Sequence, residues 1–215
     1  MKKKTIVIIA MIVMLAGAVA GFAFEKEIPG ADKASEIASE LKESATTLLS
    51  SSNGSGTSIQ NNSVVIIVEG EPFTKQYFDY RVALYEASES ETPEEDAFEL
   101  IIKEGYCYSF AKENNLMPTE EEILAEIVNR RAIVESSEES HELAKIYFES
   151  MGLTEDEYWN ILTREYEVPG MIVRYNVEKY LEDNKLPEID IDTIAFEILD
   201  NGYFESLGIQ FGDVM

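Results

Sequence analysis

The chain of 215 residues sets 42 Asp and Glu against 17 Lys and Arg, a formal net charge of −25. Such a surface repels nucleic acid and anionic lipid headgroups and argues against both as partners. A single cysteine, Cys107, leaves no intramolecular disulfide and no cysteine metal cluster, and its place inside an apolar helical pattern reads as a small buried hydrophobe.

The first residues form a basic start, Met1-Lys2-Lys3-Lys4, followed by an uncharged apolar run from Thr5 to Phe24. Residues 1–24 are therefore expected to be a signal peptide or a signal anchor. Ala18-Val19-Ala20 offers signal peptidase a small-x-small site, whereas a run of about 20 residues is also long enough to cross a bilayer. Either way the lysines face the cytoplasm and the remainder lies beyond the membrane, tethered or secreted. Leu15-Ala16-Gly17 would begin a lipoprotein box, but Ala18 stands where the lipid-bearing cysteine belongs.

Residues 25–63 read as an acidic weak helix with a thin apolar thread at Ile37, Ala38 and Leu41, and then a linker from Ser44 to Ser63 rich in serine, glycine and asparagine. The folded part is expected over 64–184. It opens with the β-branched run Val64-Val65-Ile66-Ile67-Val68, a strand stopped by a tight turn at Glu69-Gly70-Glu71-Pro72. Thr74 can cap a helix carrying Tyr77, Phe78, Tyr80, Arg81, Leu84 and Tyr85. Thr92-Pro93-Glu94-Glu95, Thr119-Glu120-Glu121-Glu122 and Thr154-Glu155-Asp156-Glu157 each carry the chemistry of a capped helix start.

Apolar residues cover more than one stripe of the helix from Pro93 to Asn114, which predicts a central helix touched on several sides. Ile123, Leu124, Ile127, Val128 and Val134 are expected to line one inward face of the next helix. Leu143, Ala144, Tyr147, Phe148 and Met151 do the same in the one after it, which Gly152 ends. Tyr158, Trp159, Leu162 and Tyr166 follow, and Pro169-Gly170 is expected to break or kink the chain before Met171, Ile172, Tyr175, Tyr180 and Leu181 resume the pattern. In the tail, residues 185–215, the alternation Ile189-Asp190-Ile191-Asp192-Thr193-Ile194 predicts a strand suited to pair with Val64 to Val68. The expected fold is mainly α: an irregular domain of about five or six helices, a short N-terminal strand paired with a C-terminal one, and the apolar N-terminal helix.

The order of strand, glycine turn, helix, long central helix and two capped helices resembles the N-terminal chaperone domain of the SurA and PrsA family of exported foldases. That domain is also similar to the peptide-binding part of trigger factor. The resemblance covers about Val64 to Asn184. It rests on Val68-Glu69-Gly70-Glu71-Pro72-Phe73-Thr74, with Glu69 in place of the usual asparagine, on the stretch from Ala111 to Ile123 through Met117-Pro118-Thr119, and on Phe148-Glu149-Ser150-Met151-Gly152-Leu153-Thr154 with Tyr158. It implies a helical cradle that binds unfolded or extended segments of exported proteins without catalysis, and it implies no cofactor. The lipid anchor common among the family's Gram-positive members is missing at Ala18, so the apolar segment itself would hold the chain at the membrane of a Gram-positive envelope.

Peptide-binding candidates are Tyr77, Tyr80, Trp159, Met171 and Tyr175, whose side chains combine large contact area with tolerance of varied partners. The same helical spacing equally suits plain core packing. Family members continue into a parvulin isomerase domain with active-site histidines; here 31 residues follow Asn184 and none is histidine, so no prolyl isomerase is expected. His141, the only histidine, lacks the partners a catalytic base or a zinc site needs. The acidic clusters in first helical turns are explained by the helix dipole, and Asp190 and Asp192 lack the rest of a calcium loop. The reading is thus not an enzyme, with no catalytic or metal-ligating residues. The same helical domain would also suit an envelope adaptor that holds one folded partner. The oligomeric state is unknown from sequence.

Overall fold

The computed structural model describes residues 31–52 and 64–209. The apolar N-terminal segment, residues 53–63 of the expected linker and the last six residues of the tail lie outside them. Among the described residues, no helix is long and apolar enough to cross a membrane. The chain is mainly helical with a small antiparallel sheet. It runs α1 (Ala31–Ser52), β1 (Val64–Val68), β2 (Glu71–Thr74), α2 (Lys75–Ala87), α3 (Pro93–Asn114), α4 (Glu120–Val134) and α5 (Glu138–Met151). A helical turn (Glu155–Glu157), a π-helix (Tyr158–Glu167), α6 (Val168–Asp183), a 3-10 turn (Ile191–Thr193), β3 (Phe196–Ile198) and α7 (Asn201–Ser206) complete it. The described residues fall into two compact units, each drawn from two stretches of chain: those up to Leu49 with Pro118–Ile172, and those from Ser50 to Met117 with those from Val173 on.

In the first unit, α1 corrects two expectations. It is neither weak nor superficial, because Ile37, Ala38, Leu41, Ala45, Leu48 and Leu49 are all buried along one stripe. The serine-rich stretch from Ser44, expected as linker, is helical as far as Ser52. Ala45, Leu48 and Leu49 extend the i, i+3, i+4 repeat past the point where composition suggested coil, and burial of that stripe outweighs the poor helix propensity of serine and threonine. Ser35 and Ser150, 2.9 Å apart through their hydroxyls, join α1 to α5.

The π-helix has a packing rationale. Its buried residues are Tyr158, Trp159, Leu162, Thr163 and Glu167. At about 100° per residue an α-helix would spread them over about 180° of its surface. A π-helix, turning about 80° per residue, gathers them within about 120°. Tyr158 and Trp159 then interlock with Phe148, whose ring lies 4.5 Å from Tyr158 and 5.9 Å from Trp159. The wide turn also answers for Pro169, expected to break the helix: the chain passes from the π-helix straight into α6, and Val168 N–H donates to Thr163 O, five residues back. Opening that turn gives the proline ring room against the carbonyl one turn earlier.

In the second unit, β1 and β2 form a hairpin whose two-residue turn holds both Glu69 (φ 48°) and Gly70 (φ 84°) in the left-handed region, as a type I′ turn demands. Glu69 is not a residue that favours this conformation, but its carboxylate accepts from Ala195 N–H at 2.9 Å while its own N–H donates to Ala195 O. The turn is thereby tied to the start of β3. The sheet order is β2-β1-β3, with β3 antiparallel to β1. A C-terminal strand thus does pair with Val64–Val68, but it is Phe196–Ile198 and not Ile189–Ile194. Asp190 is the reason: its side chain accepts from Asp192 N–H and folds Ile191–Thr193 into a 3-10 turn, the local competition by which aspartate displaces strand.

Helix α3 lies against β1 so closely that a Cβ on Gly105 would fall 2.4 Å from Val68 Cβ. Only glycine fits there. Cys107 and Ala111 of α3 pack against Val173, Val177 and Leu181 of α6. The inward phase of α6 is therefore set by those valines and not by Tyr175. Of the three expected capping boxes, those at Thr119 and Thr154 are formed. Thr92 makes no side-chain cap; the start of α3 is fixed instead by Ser90, which donates to Asp96 and accepts from Thr92 N–H.

The tail closes the second unit. Phe204 is fully buried, edge-on to Phe78 at 5.1 Å and to Phe98 at 5.8 Å, and Tyr203 donates to Asp79 at 2.6 Å. Phe204→Ala is expected to destabilise the second unit by about 3–5 kcal/mol. A fall in the urea midpoint with unchanged slope checks it.

Candidate functional site

Two buried ionic clusters draw attention first, because perturbed charges concentrate at functional sites. In the second unit the Glu104 carboxylate is fully buried on α3. It accepts from Arg81 Nη2 at 3.0 Å and Arg174 Nη1 at 2.8 Å, and from the Tyr77 hydroxyl at 2.7 Å. Arg81 Nε also donates to the Tyr77 oxygen at 3.0 Å. Burial works against the charge on Arg81, but Glu104 and Tyr77 more than compensate and its pKa is raised; burial, helped by Glu104, pushes the Tyr77 phenol well up. Every partner here points inward, which is the arrangement of a structural ion network.

In the first unit Arg130 is buried on α4. Its Nε donates to Glu126 at 3.0 Å, its Nη2 approaches Met171 Sδ at 2.7 Å, and its Nη1 lies 3.9 Å from the buried Glu167. Burial, and then the Glu167 charge, raise the phenols of Tyr147 and Tyr158. Among the described residues, no group of three or more His, Cys, Asp or Glu is placed to hold a metal. His141 is exposed on α5.

The residues singled out as peptide binders fare unevenly. Tyr80 and Trp159 are 1 % exposed, and Arg131 covers the Trp159 ring with its guanidinium 5.8 Å away. Both belong to cores. Tyr77 is half-buried with its hydroxyl committed to Glu104, and Met171 is half-buried against Arg130. Tyr175 alone stands out from the surface, 62 % exposed. Tyr77, Tyr80 and Tyr175 fall in the second unit, Trp159 and Met171 in the first.

An unforeseen surface lies on α4. Its inward face is Ile127, Arg130 and Val134 with half-buried Ile123, so Leu124 and Val128, expected inside, are 44 % and 65 % exposed. Arg130 is the physical reason: with its guanidinium taken up by Glu126, Met171 and Glu167, the buried arc is rotated away from Leu124 and Val128. Together with exposed Ala125 and Ala132, these residues recur at i, i+1, i+4 and i+8 and form an apolar stripe facing solvent. The signal was present in the sequence, since Leu124, Val128 and Ala132 share an i, i+4 row distinct from the Ile123, Ile127, Val134 row, but nothing local says which row meets a neighbour.

No family model, curated protein or solved structure matches the chain.

Replacing Glu104 by Gln would leave two guanidinium groups buried without their carboxylate, and a loss of about 3–5 kcal/mol is expected in urea denaturation. A second outcome concerns pH. Burial pushes the Cys107 thiol up to about 12 and raises the phenols of Tyr77, Tyr108, Tyr147 and Tyr158. The folded state holds these protons more tightly than the unfolded chain, so the stability they contribute is complete below their unfolded pKa values, about 8.5 for thiol and about 10 for phenol, and is lost as pH rises beyond. The urea midpoint is expected to fall above about pH 9. At that pH Cys107 should resist a thiolate-specific reagent until denaturant is added.

Proposed function

We propose that this chain is an exported or membrane-tethered, chaperone-like protein of a Gram-positive cell envelope that binds extended segments of unfolded secreted polypeptides without catalysis. The observation that carries the reading is the solvent-facing stripe of Leu124, Ala125, Val128 and Ala132 on α4. Apolar surface left outside the core and framed by charge is what a holding function requires. Tyr175, with Leu186, adds exposed apolar area in the second unit. Further support comes from the resemblance of residues 64–184 to the SurA-type chaperone domain, and from the basic and apolar N-terminal segment, which provides export and attachment.

A second reading has one observation in its favour. The α4 stripe is narrow and belongs to a single helix, a shape that suits one complementary partner, as in an envelope adaptor.

The purified full chain is expected to slow aggregation of a chemically denatured client at equimolar ratio. Leu124→Gln with Val128→Gln should lower that effect several-fold while leaving the unfolding free energy from urea denaturation within about 0.5 kcal/mol of the parent, as exposed substitutions do. Failure of the parent chain to slow aggregation, together with recovery of one stoichiometric folded partner, would replace the first reading by the second.

A further inference from the structure

The apolar stripe on α4 ends in charge. At about 100° per residue, Glu121 and Glu135 fall within the same arc of about 100° as Leu124, Ala125, Val128 and Ala132, one at each end. Both glutamates are exposed. The other carboxylates of the helix are already engaged: Glu120 with Arg164 at 2.5 Å, Glu122 with the Thr119 cap at 2.7 Å, and Glu126 with Arg130 at 3.0 Å. Glu121 and Glu135 have no salt-bridge partner among the described residues. The cation nearest in sequence to the stripe, Arg131, is held by Glu155 at 3.1 Å.

From this juxtaposition we infer that the α4 surface selects apolar polypeptide segments carrying lysine or arginine at both ends. The inference rests on the proposed binding of unfolded polypeptide and adds to it which segments are taken. At about 1.5 Å rise per residue, Glu121 and Glu135 stand about 21 Å apart along the helix. An extended chain covers that span in about six residues, so the preferred segment has two basic side chains about six residues apart with apolar residues between them. Leu124, Val128 and Ala132 meet the apolar residues, and the two free carboxylates meet the cations. A second copy of the chain is a poor occupant, because it brings a net charge of −25 and the same acidic ends against this face. An anionic membrane is disfavoured for the same reason.

The test uses the full-length chain and three fluorescent peptides with one apolar core, flanked at six-residue separation by lysines, by serines or by glutamates. Binding is read by anisotropy at low and physiological salt. The lysine-flanked peptide is expected to bind roughly tenfold tighter than the glutamate-flanked one at low salt, with the gap narrowing as salt rises. In the Glu121→Gln, Glu135→Gln variant most of the gap should close while the serine-flanked peptide binds as before. Equal affinity for all three peptides, or a lysine preference that survives in the variant, would overturn the selectivity and leave the holding function intact. Absence of binding by every peptide would overturn it as well, and the aggregation assay then reports separately on the holding function. Self-association of the parent chain that Val128→Gln abolishes, seen by sedimentation, would also overturn it by showing the face covered by a second copy.

Discussion

At the centre of the second unit a single carboxylate, that of Glu104, receives two guanidinium groups and a phenol from two other helices. Arg81 and Tyr77 come from α2, and Arg174 comes from α6, far along the chain. Around it Gly105 admits β1 against α3, and Cys107 and Ala111 receive the valines of α6. A charge in that position is costly to bury alone and tolerable only when its partners arrive together. The network therefore couples the register of α2, α3 and α6: sliding any one of them by a residue would strand a charge in the core. Apolar residues at positions 81, 104 and 174 together would pack without that constraint, but would specify the arrangement less sharply.

The first unit is organised differently. Its core is a set of aromatic rings from α5 and the π-helix, with Arg130 and Glu167 beside it. The ten-residue π-helix is an unfavourable backbone form, rare and mostly confined to single-turn bulges. What offsets it is the alignment of Tyr158, Trp159, Leu162, Thr163 and Glu167 on one side, together with the relief it offers Pro169. Arg130, by occupying the inward arc of α4, turns Leu124 and Val128 to solvent. Core polarity and the exposed stripe are thus two consequences of one side chain, which ties the fold of this unit to the surface proposed to carry its function.

The strongly acidic exterior frames that stripe. Most carboxylates of α4 are spent on caps and ion pairs within the chain, as expected where a helix starts with three consecutive glutamates. The two that remain flank the apolar residues, and this gives the proposed polypeptide-binding face a sign of charge as well as hydrophobicity.

Local chemistry in the sequence was enough for the elements whose signals act within a few residues. The caps at Thr74, Thr119 and Thr154, the left-handed stop at Gly152, the start of the turn at Glu69-Gly70 and the burial of Cys107 follow from neighbouring atoms, whereas Glu71 and Pro72, expected in that turn, belong to β2. So does the mainly helical class. Other features depended on distant partners. Whether Ser44 to Ser52 coils or extends α1 depends on what covers Leu48 and Leu49. Whether Ile189–Ile194 or Phe196–Ile198 joins β1 is decided by Asp190 turning the chain and Glu69 anchoring Ala195. The widened helix around Trp159 answers to the ring of Phe148 and to Pro169 together. The candidate surface shows the limit most clearly: Trp159 and Tyr80 carry the residue types of a binding face and are interior, while Leu124 and Val128 carry the pattern of a core and are exposed. Periodicity in a sequence determines that a helix has two apolar rows; which row is buried is decided by the helix that packs against it, and that is a property of the tertiary structure alone.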